Sequence, residues 1–145
     1  MMKKIKIIYH DKNMPKLTFI NDKSDWIDLR ASKDYSLIKG EFALIDLGVS
    51  MKLPEGYEAH IVPRSSTYKN YKIIQTNSTG IVDNSYSGTN DVWKMPVLAT
   101  EDTHINKYDR ICQFRIMKKM EEINFIETDS LDNNNRGGFG STGKN

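Results

Sequence analysis

Apolar and polar residues alternate along this chain far more often than they recur at helical spacing. Ile5 and Ile7 alternate with lysines, which predicts a short first strand. Phe42 to Leu53 is rich in β-favouring residues and runs into Pro54-Glu55-Gly56, a turn sequence that ends it. Glu58 to Val62, Lys72 to Gln75, Val97 to Thr100 and Arg110 to Met117 predict further strands. No segment sustains a 3.6-residue apolar stripe. One short helix is predicted, from Ser65 to about Tyr71, with Ser65 as its N-cap. Many short strands with Gly, Pro, Asn and Asp at the joints predict an all-β barrel or sandwich. Near Thr128 the strand pattern gives way to polar residues, which predicts a β domain over 1–128 and a flexible arm over 129–145.

Composition narrows the function classes. The chain has 145 residues, enough for one domain with a real core. Its 21 Lys and Arg and 19 Asp and Glu are interspersed, with a net charge of +2, so no basic face suggests direct nucleic-acid binding. No apolar run reaches the length of a membrane span, and the single Cys112 fits a reducing compartment, so a cytoplasmic location without membrane contact is expected. His10, His60 and His104 show no metal-ligand spacing.

Five segments carry candidate chemistry. In Arg136-Gly137-Gly138-Phe139-Gly140-Ser141-Thr142-Gly143, four glycines in eight residues argue against helix and strand. What remains is a guanidinium, two hydroxyls, open backbone N–H groups and one ring, the parts that hold a polyphosphate and stack on a base. A plain polar tail is the alternative. Pro63-Arg64-Ser65-Ser66-Thr67 stands at a strand-to-helix junction, where free N–H groups and serine hydroxyls suit phosphate oxygens, or where a serine simply caps.

Asn77 to Gly88 reads as a hairpin with Asn84-Ser85 near its turn. The open backbone at Ile81 and Val82, with the donor and acceptor of the Asn77 amide, matches a pyrimidine edge. Asp83, at the end of a short strand, could hold and deprotonate a water, and Tyr86 could lie flat near a sugar. Asp28 lies between two apolar residues on an extended run, suited to ion pairing or to holding waters around a metal ion. In Tyr108-Asp109-Arg110-Ile111-Cys112-Gln113-Phe114, Gln113 alternates with buried-type neighbours, while Asp109 and Arg110 read as structural and Cys112 as a small core residue. Trp93 reads as core, with base stacking as its alternative role.

These segments, in this order, resemble the five sequence motifs of the trimeric dUTPases, in particular the short enzymes of Bacillus-type bacteria and their prophages. The likeness runs from Asp25 to Gly143, and its most specific parts are Gly80 to Gly88 and Arg136 to Gly143. The resemblance implies a distorted jelly-roll-like barrel of the β-clip type, with one short helix and a C-terminal arm that closes over a neighbouring subunit's site in a homotrimer. It implies that dUTP is hydrolysed to dUMP and pyrophosphate with Mg²⁺, which limits uracil in DNA and supplies dUMP. Asp83 matches the carboxylate that activates water. Asn77, Ile81 and Val82 match the uracil pocket, and Tyr86 the residue beneath deoxyribose. Arg64, Ser65, Ser66 and Gln113 match phosphate contacts, and Asp28 the acid that holds the Mg²⁺ waters. Phe139 matches the uracil-stacking lid, with Arg136, Ser141 and Thr142 on the phosphates.

The chain departs from the family pattern at Trp26-Ile27 and at Ser66-Thr67. It also has Tyr108 where glycine is usual, and Thr89-Asn90-Asp91 after the hairpin segment. Two rivals remain from the sequence. One is a dCTP deaminase-like enzyme of the same fold, for which the hairpin segment supplies no glutamate. The other is a nucleotide-sensing protein with a phage or host regulatory protein as partner.

Overall fold

The computed structural model describes residues 2–19, 23–140 and 142–144. Its regular secondary structure is nearly all strand. The strands are β1 (Lys6–Tyr9), β2 (Ile27–Arg30), β3 (Tyr35–Leu37), β4 (Phe42–Asp46), β5 (Val49–Lys52) and β6 (Tyr57–Pro63). Helix α1 (Thr67–Tyr71), the one helix among the described residues, follows. Then come β7 (Ile73–Gln75), β8 (Gly80–Val82), β9 (Lys94–Ala99), β10 (Thr103–Ile105) and β11 (Arg110–Lys118). All pairings are antiparallel, in sheets ordered β2-β11-β6-β8, β4-β9-β7, β1-β5 and β3-β10, and they do not close into a barrel. Among the described residues no helix is long and apolar enough to cross a membrane.

Alternation does what it predicts. In β9, Met95, Val97 and Ala99 are buried while Lys94 and Leu98 are exposed. They meet Leu29, Ile45, Leu47, Ile111 and Phe114 in one core, with Trp93 edge-on to Phe114 at a centroid separation of 5.1 Å.

The run from Phe42 to Leu53 is two strands rather than one. Gly48 takes φ +69°, a left-handed conformation, and Asp46 Oδ1 accepts its N–H at 2.7 Å. A Cβ on Gly48 would stand 2.7 Å from Met14 Cε and 2.9 Å from the Ser32 Cβ, so the close approach of the N-terminal segment also requires glycine there.

Strand β9 begins three residues earlier than Val97, because Pro96 does not end it. Pro96 sits centrally, but its carbonyl, which accepts Thr76 N–H at 3.0 Å, and its missing N–H point to the same side, where β7 has already ended at Gln75.

The predicted helix is shorter, and its cap is not Ser65. The helix starts at Thr67 with Ser66 at the cap position and without a side-chain capping bond. Thr67 supplies the organising hydroxyl instead: Oγ1 accepts from Arg64 N–H at 2.8 Å and donates to Ile111 O at 2.8 Å. The three-residue strands β3 and β10 are too short for alternation to show.

After Lys118 the described residues carry no helix or strand and are all exposed. Exposed apolar side chains gather in two places. One is this C-terminal stretch, with Met120, Ile123, Phe125 and Ile126. The other is the outer face of the β4-β9-β7 sheet, where Phe42, Leu98 and Ile74 stand in register.

Candidate active site

The segment that reads as a hairpin does not form one. Strand β8 pairs with β6 (Ile61↔Gly80, His60↔Ile81, Ala59↔Val82), and the chain then turns at Asp83–Tyr86, where Tyr86 N–H donates to Asp83 O at 3.0 Å. No return strand follows, because other partners take the loop. The Tyr86 hydroxyl donates to Val92 O at 2.9 Å, Gly88 N–H donates to Asp91 Oδ2 at 2.8 Å, and Ser50 Oγ donates to Asp91 O at 2.8 Å. Thus β8 is the edge of its sheet, and one side of its backbone stays unpaired.

Beside that edge lies a pocket of about 210 Å³ lined by Ile61, Asn77, Gly80, Ile81, Val82, Tyr86, Val92, Trp93 and Lys94. The predicted base-edge and sugar residues therefore share one cavity. Asp83 follows Val82, which is buried, and precedes Asn84, whose amide donates to Pro54 O at 2.8 Å and to Tyr57 O at 3.2 Å. The two neighbours fix the backbone while the Asp83 carboxylate stays exposed. Trp93 forms part of the pocket wall at 1% exposure, so its ring serves the core and is not free to act as a lid. Its Nε1–H is buried without a partner, as is Gln75 Oε1.

A second constellation forms where β2, β11 and the β6–α1 junction meet. Asp28 Oδ1 pairs with Arg64 Nε at 3.1 Å, and Asp28 Oδ2 with Arg110 at 3.2 Å. The ion-paired reading of Asp28 therefore holds, and Arg110, read as structural, belongs to the cluster. Gln113 stands opposite Asp28 in the β2–β11 ladder and donates to Pro63 O at 3.1 Å, next to Arg64. Ser65 is exposed and Ser66 half-buried at the helix start. Asp109 Oδ2 accepts Asn106 N–H at 2.9 Å, a turn role as expected. Cys112 is buried, and burial pushes its thiol pKa up, with the Asp28 charge adding to the shift, so the group stays protonated.

Tyr108, at the position where glycine is usual, takes φ +75°. That region is costly for a side-chain-bearing residue. The compensation is local. The Tyr108 hydroxyl donates to Asp11 Oδ2 at 2.5 Å, and the Tyr108 carbonyl accepts from Arg30 at 2.8 Å. Asp11 had no signal in the sequence, since its partner lies 97 positions away.

The two constellations have no lining residue in common: the edge-strand pocket contains neither Asp28 nor Arg110. The tail joins neither of them. Arg136 reaches only Gly137 O at 3.4 Å, Phe139 is fully exposed, and Thr142 is exposed. Ser141, also predicted at the phosphates, lies outside the described residues. Among the described residues no three His, Cys, Asp or Glu side chains gather to hold a metal ion.

A family model for dUTPase matches residues 21–143, a span that takes in both constellations and the tail. The chain belongs to the dUTPase family. The SPbeta prophage-derived deoxyuridine 5'-triphosphate nucleotidohydrolase of Bacillus subtilis is 58% identical over 139 residues, covering 96% of this chain and 97% of that protein. The deoxyuridine 5'-triphosphate nucleotidohydrolase of Finegoldia magna is 41% identical over 147 residues, covering 97% and 99%.

Among solved structures, a mutant dUTPase of Staphylococcus bacteriophage 80alpha with dUpNHpp superposes with a TM-score of 0.79 at 18% identity, covering 99% of this chain and 100% of that one. A mutant dUTPase from phage phi11 of S. aureus, described with a structural Mg(II) ion, gives 0.74 at 15% identity, covering 89% and 99%. At such identities the likeness is one of fold. It makes the strand arrangement that of the jelly-roll-like dUTPases, although the single chain is not a closed barrel.

Proposed function

We propose that the chain hydrolyses dUTP to dUMP and pyrophosphate through attack of water on the α-phosphorus. The observation that carries this is Asp83, an exposed carboxylate fixed at the end of the edge strand whose open backbone, with Asn77 and Tyr86, lines one pocket. Uracil offers alternating acceptor, donor and acceptor groups that suit a strand edge and an amide. The wall beneath the sugar is the ring of Tyr86, anchored through its hydroxyl. Asp83 takes the proton from the attacking water, and the cations of the second constellation balance charge on the phosphates. Arg64 is held by Asp28 at 3.1 Å, ready to meet a phosphate oxygen without reorganising.

Mg²⁺ fits this donor set. The acid of the second constellation is Asp28, whose Oδ2 accepts from Arg110 at 3.2 Å and whose Oδ1 is ion-paired with Arg64 Nε at 3.1 Å. Such a carboxylate reaches a cation through waters, while a triphosphate supplies the direct ligands. When bound, Mg²⁺ would neutralise charge on the phosphates.

Because the two constellations and the tail do not meet within one chain, the reading includes a homotrimer in which neighbouring subunits complete each site. The arm after residue 128 would then reach a partner, with Arg136, Ser141 and Thr142 on the phosphates and Phe139 over the base. The exposed apolar face of β4-β9-β7 and the apolar stretch from Met120 to Ile126 are surfaces that such an assembly would cover. A protein partner of regulatory kind would be a second role; an intact Asp83 favours the enzyme.

The test is product analysis on purified chain with dUTP, dCTP and UTP plus Mg²⁺. Pyrophosphate from dUTP alone is expected. Ammonia from dCTP would instead establish the deaminase reading, and no turnover of any of the three would remove the enzyme.

A further inference from the structure

Thr89-Asn90-Asp91, where the chain departs from the family pattern, directly follows the loop that carries Tyr86. The third of these residues ties that loop together. Asp91 Oδ2 accepts Gly88 N–H at 2.8 Å, and Asp91 N–H donates to Gly88 O at 3.1 Å. The closure is tight, since a Cβ on Gly88 would stand 2.7 Å from Asp91 Oδ2.

A second bond ties the loop to the sheet. Ser50, on β5, is 2% exposed, and its hydroxyl donates to Asp91 O at 2.8 Å. A hydroxyl has one proton to give, so the 2.8 Å contact between Ser50 Oγ and His10 uses a proton on His10 Nε2. The bonds therefore run in one direction, from the His10 ring to Ser50 and from Ser50 to Asp91, and successive bonds of this kind strengthen one another. His10 stands where the N-terminal loop leaves β1, and its own N–H donates to Gly48 O at 2.9 Å.

The residue this fixes is Val92. On one side Asp91 is held by Ser50. On the other, Trp93 N–H donates to Val49 O at 2.8 Å and Trp93 O accepts Leu47 N–H at 2.9 Å. The Val92 carbonyl, set between them, is the acceptor for the Tyr86 hydroxyl at 2.9 Å. The Tyr86 ring is exposed on a loop without a return strand, so packing restrains it little and this bond decides where it lies. Ser50 does not line the edge-strand pocket, yet it governs the wall on which the sugar would rest.

We propose that Ser50 is a positioning residue for sugar selection: through Asp91 and the Val92 carbonyl it holds the Tyr86 ring where a 2′-deoxy sugar fits and a 2′-hydroxyl does not. The proposal rests on the dUTP-hydrolysis reading for its substrate. Ser50 touches no substrate and takes no part in proton transfer.

The experiment titrates the α,β-imido analogues of dUTP and UTP, which bind without turnover, by calorimetry. The proteins are the full chain as parent, Ser50→Ala, Tyr86→Phe and the double variant, and dUTP hydrolysis is followed separately. Two controls accompany them. Ser36→Ala removes a hydroxyl that pairs with His104 Nδ1 at 2.8 Å, the same chemistry on β3. Ile105→Val trims a buried side chain of β10. Ser50→Ala should narrow the preference for the deoxy analogue by roughly fivefold, the factor that one neutral hydrogen bond carries. Tyr86→Phe keeps the ring but loses its tether, so it should narrow the preference by a similar factor. The double variant should be no worse than either single one, because both changes release the same ring. The controls should keep the parental preference, although Ile105→Val lowers the thermal midpoint.

An unchanged preference in Ser50→Ala overturns the proposal. So does an additive double variant, since Ser50 would then act by a route other than the Tyr86 tether. An equal narrowing in Ile105→Val also overturns it, because lost stability alone would explain the effect. If Ser50→Ala does not fold, Ser50→Cys, with a weaker donor of nearly the same size, decides. A parent that prefers the deoxy analogue but leaves dUTP intact loses only the hydrolysis reading. A parent without that preference overturns the proposal, whatever it hydrolyses.

Discussion

At the residue scale, chemistry and position come apart in an instructive way. The placement of Asp83 was legible because it is set locally: a carboxylate at the end of a short β run, beside a turn. Asp83→Asn should keep nucleotide affinity and lower kcat by about 10²–10⁴-fold, since an amide keeps the shape but cannot take a proton. Single-turnover hydrolysis with a parallel dUTP-analogue titration measures both, and activity within a few-fold of the parent would show that another group is the base. Asp11 was not legible, because Tyr108 is its partner only in the folded chain. The Tyr108 hydrogen bond first, and the Asn13 backbone N–H second, hold its carboxyl below the ordinary 3.8. The folded-state pKa is thus below the unfolded one. The contribution is complete above pH 3.8 and is lost as pH falls through the folded value. Thermal midpoints measured from about pH 5 down to about pH 2 should fall less steeply in Asp11→Asn than in the parent. Equal slopes would mean that this contact does not anchor the N-terminal loop.

At the element scale, strands long enough to alternate were found and their ends were not. The Phe42–Leu53 run hid a break at Gly48 that depends on Met14 and Ser32, both distant in sequence. The apparent hairpin at residues 77–88 lost its second strand to side-chain bonds that sequence spacing does not reveal. Its first strand nevertheless became an open sheet edge. Trp93 and Phe139 were competing candidates for the ring over the base, and burial now separates them. Trp93→Ala should lower stability by about 3–5 kcal/mol through loss of a core aromatic, somewhat offset because its buried indole N–H has no partner. Phe139→Ala should leave the denaturation midpoint unchanged and weaken dUTP binding by roughly five- to 150-fold, the range for loss of one stacked ring. Chemical denaturation paired with analogue titration distinguishes them. A stable Trp93→Ala protein with weakened binding would reverse the assignment.

At the scale of the whole molecule, the fold of one chain does not bring the candidate site residues together. The edge-strand pocket, the Asp28–Arg64–Arg110 cluster and the tail are separate within one chain, which is the strongest physical argument for a shared site. Light scattering should give the mass of three chains. A sharper outcome follows from mixing. Asp83→Asn chains and chains lacking residues 136–145, each nearly inactive, should recover activity when unfolded and refolded together, because some mixed trimers join an intact Asp83 to an intact tail. No recovery, with mixed trimers confirmed by mass, would mean that each subunit closes its own site.

The sequence by itself determined the strand-rich class, the residues with reactive side chains and the order in which they occur. Those follow from alternation, turn chemistry and local backbone preference, which act over a few neighbouring positions. Only the tertiary structure decided that β8 is an edge, that Trp93 is a wall and that Asp28 is clamped between two arginines. It alone brought His10 to Ser50. Those outcomes depend on contacts between residues as far apart as Asp11 and Tyr108 or Asp28 and Arg110. Hydrogen bonds and packing act through distance in space, and a chain of mostly antiparallel strands puts its closest partners far apart along the sequence.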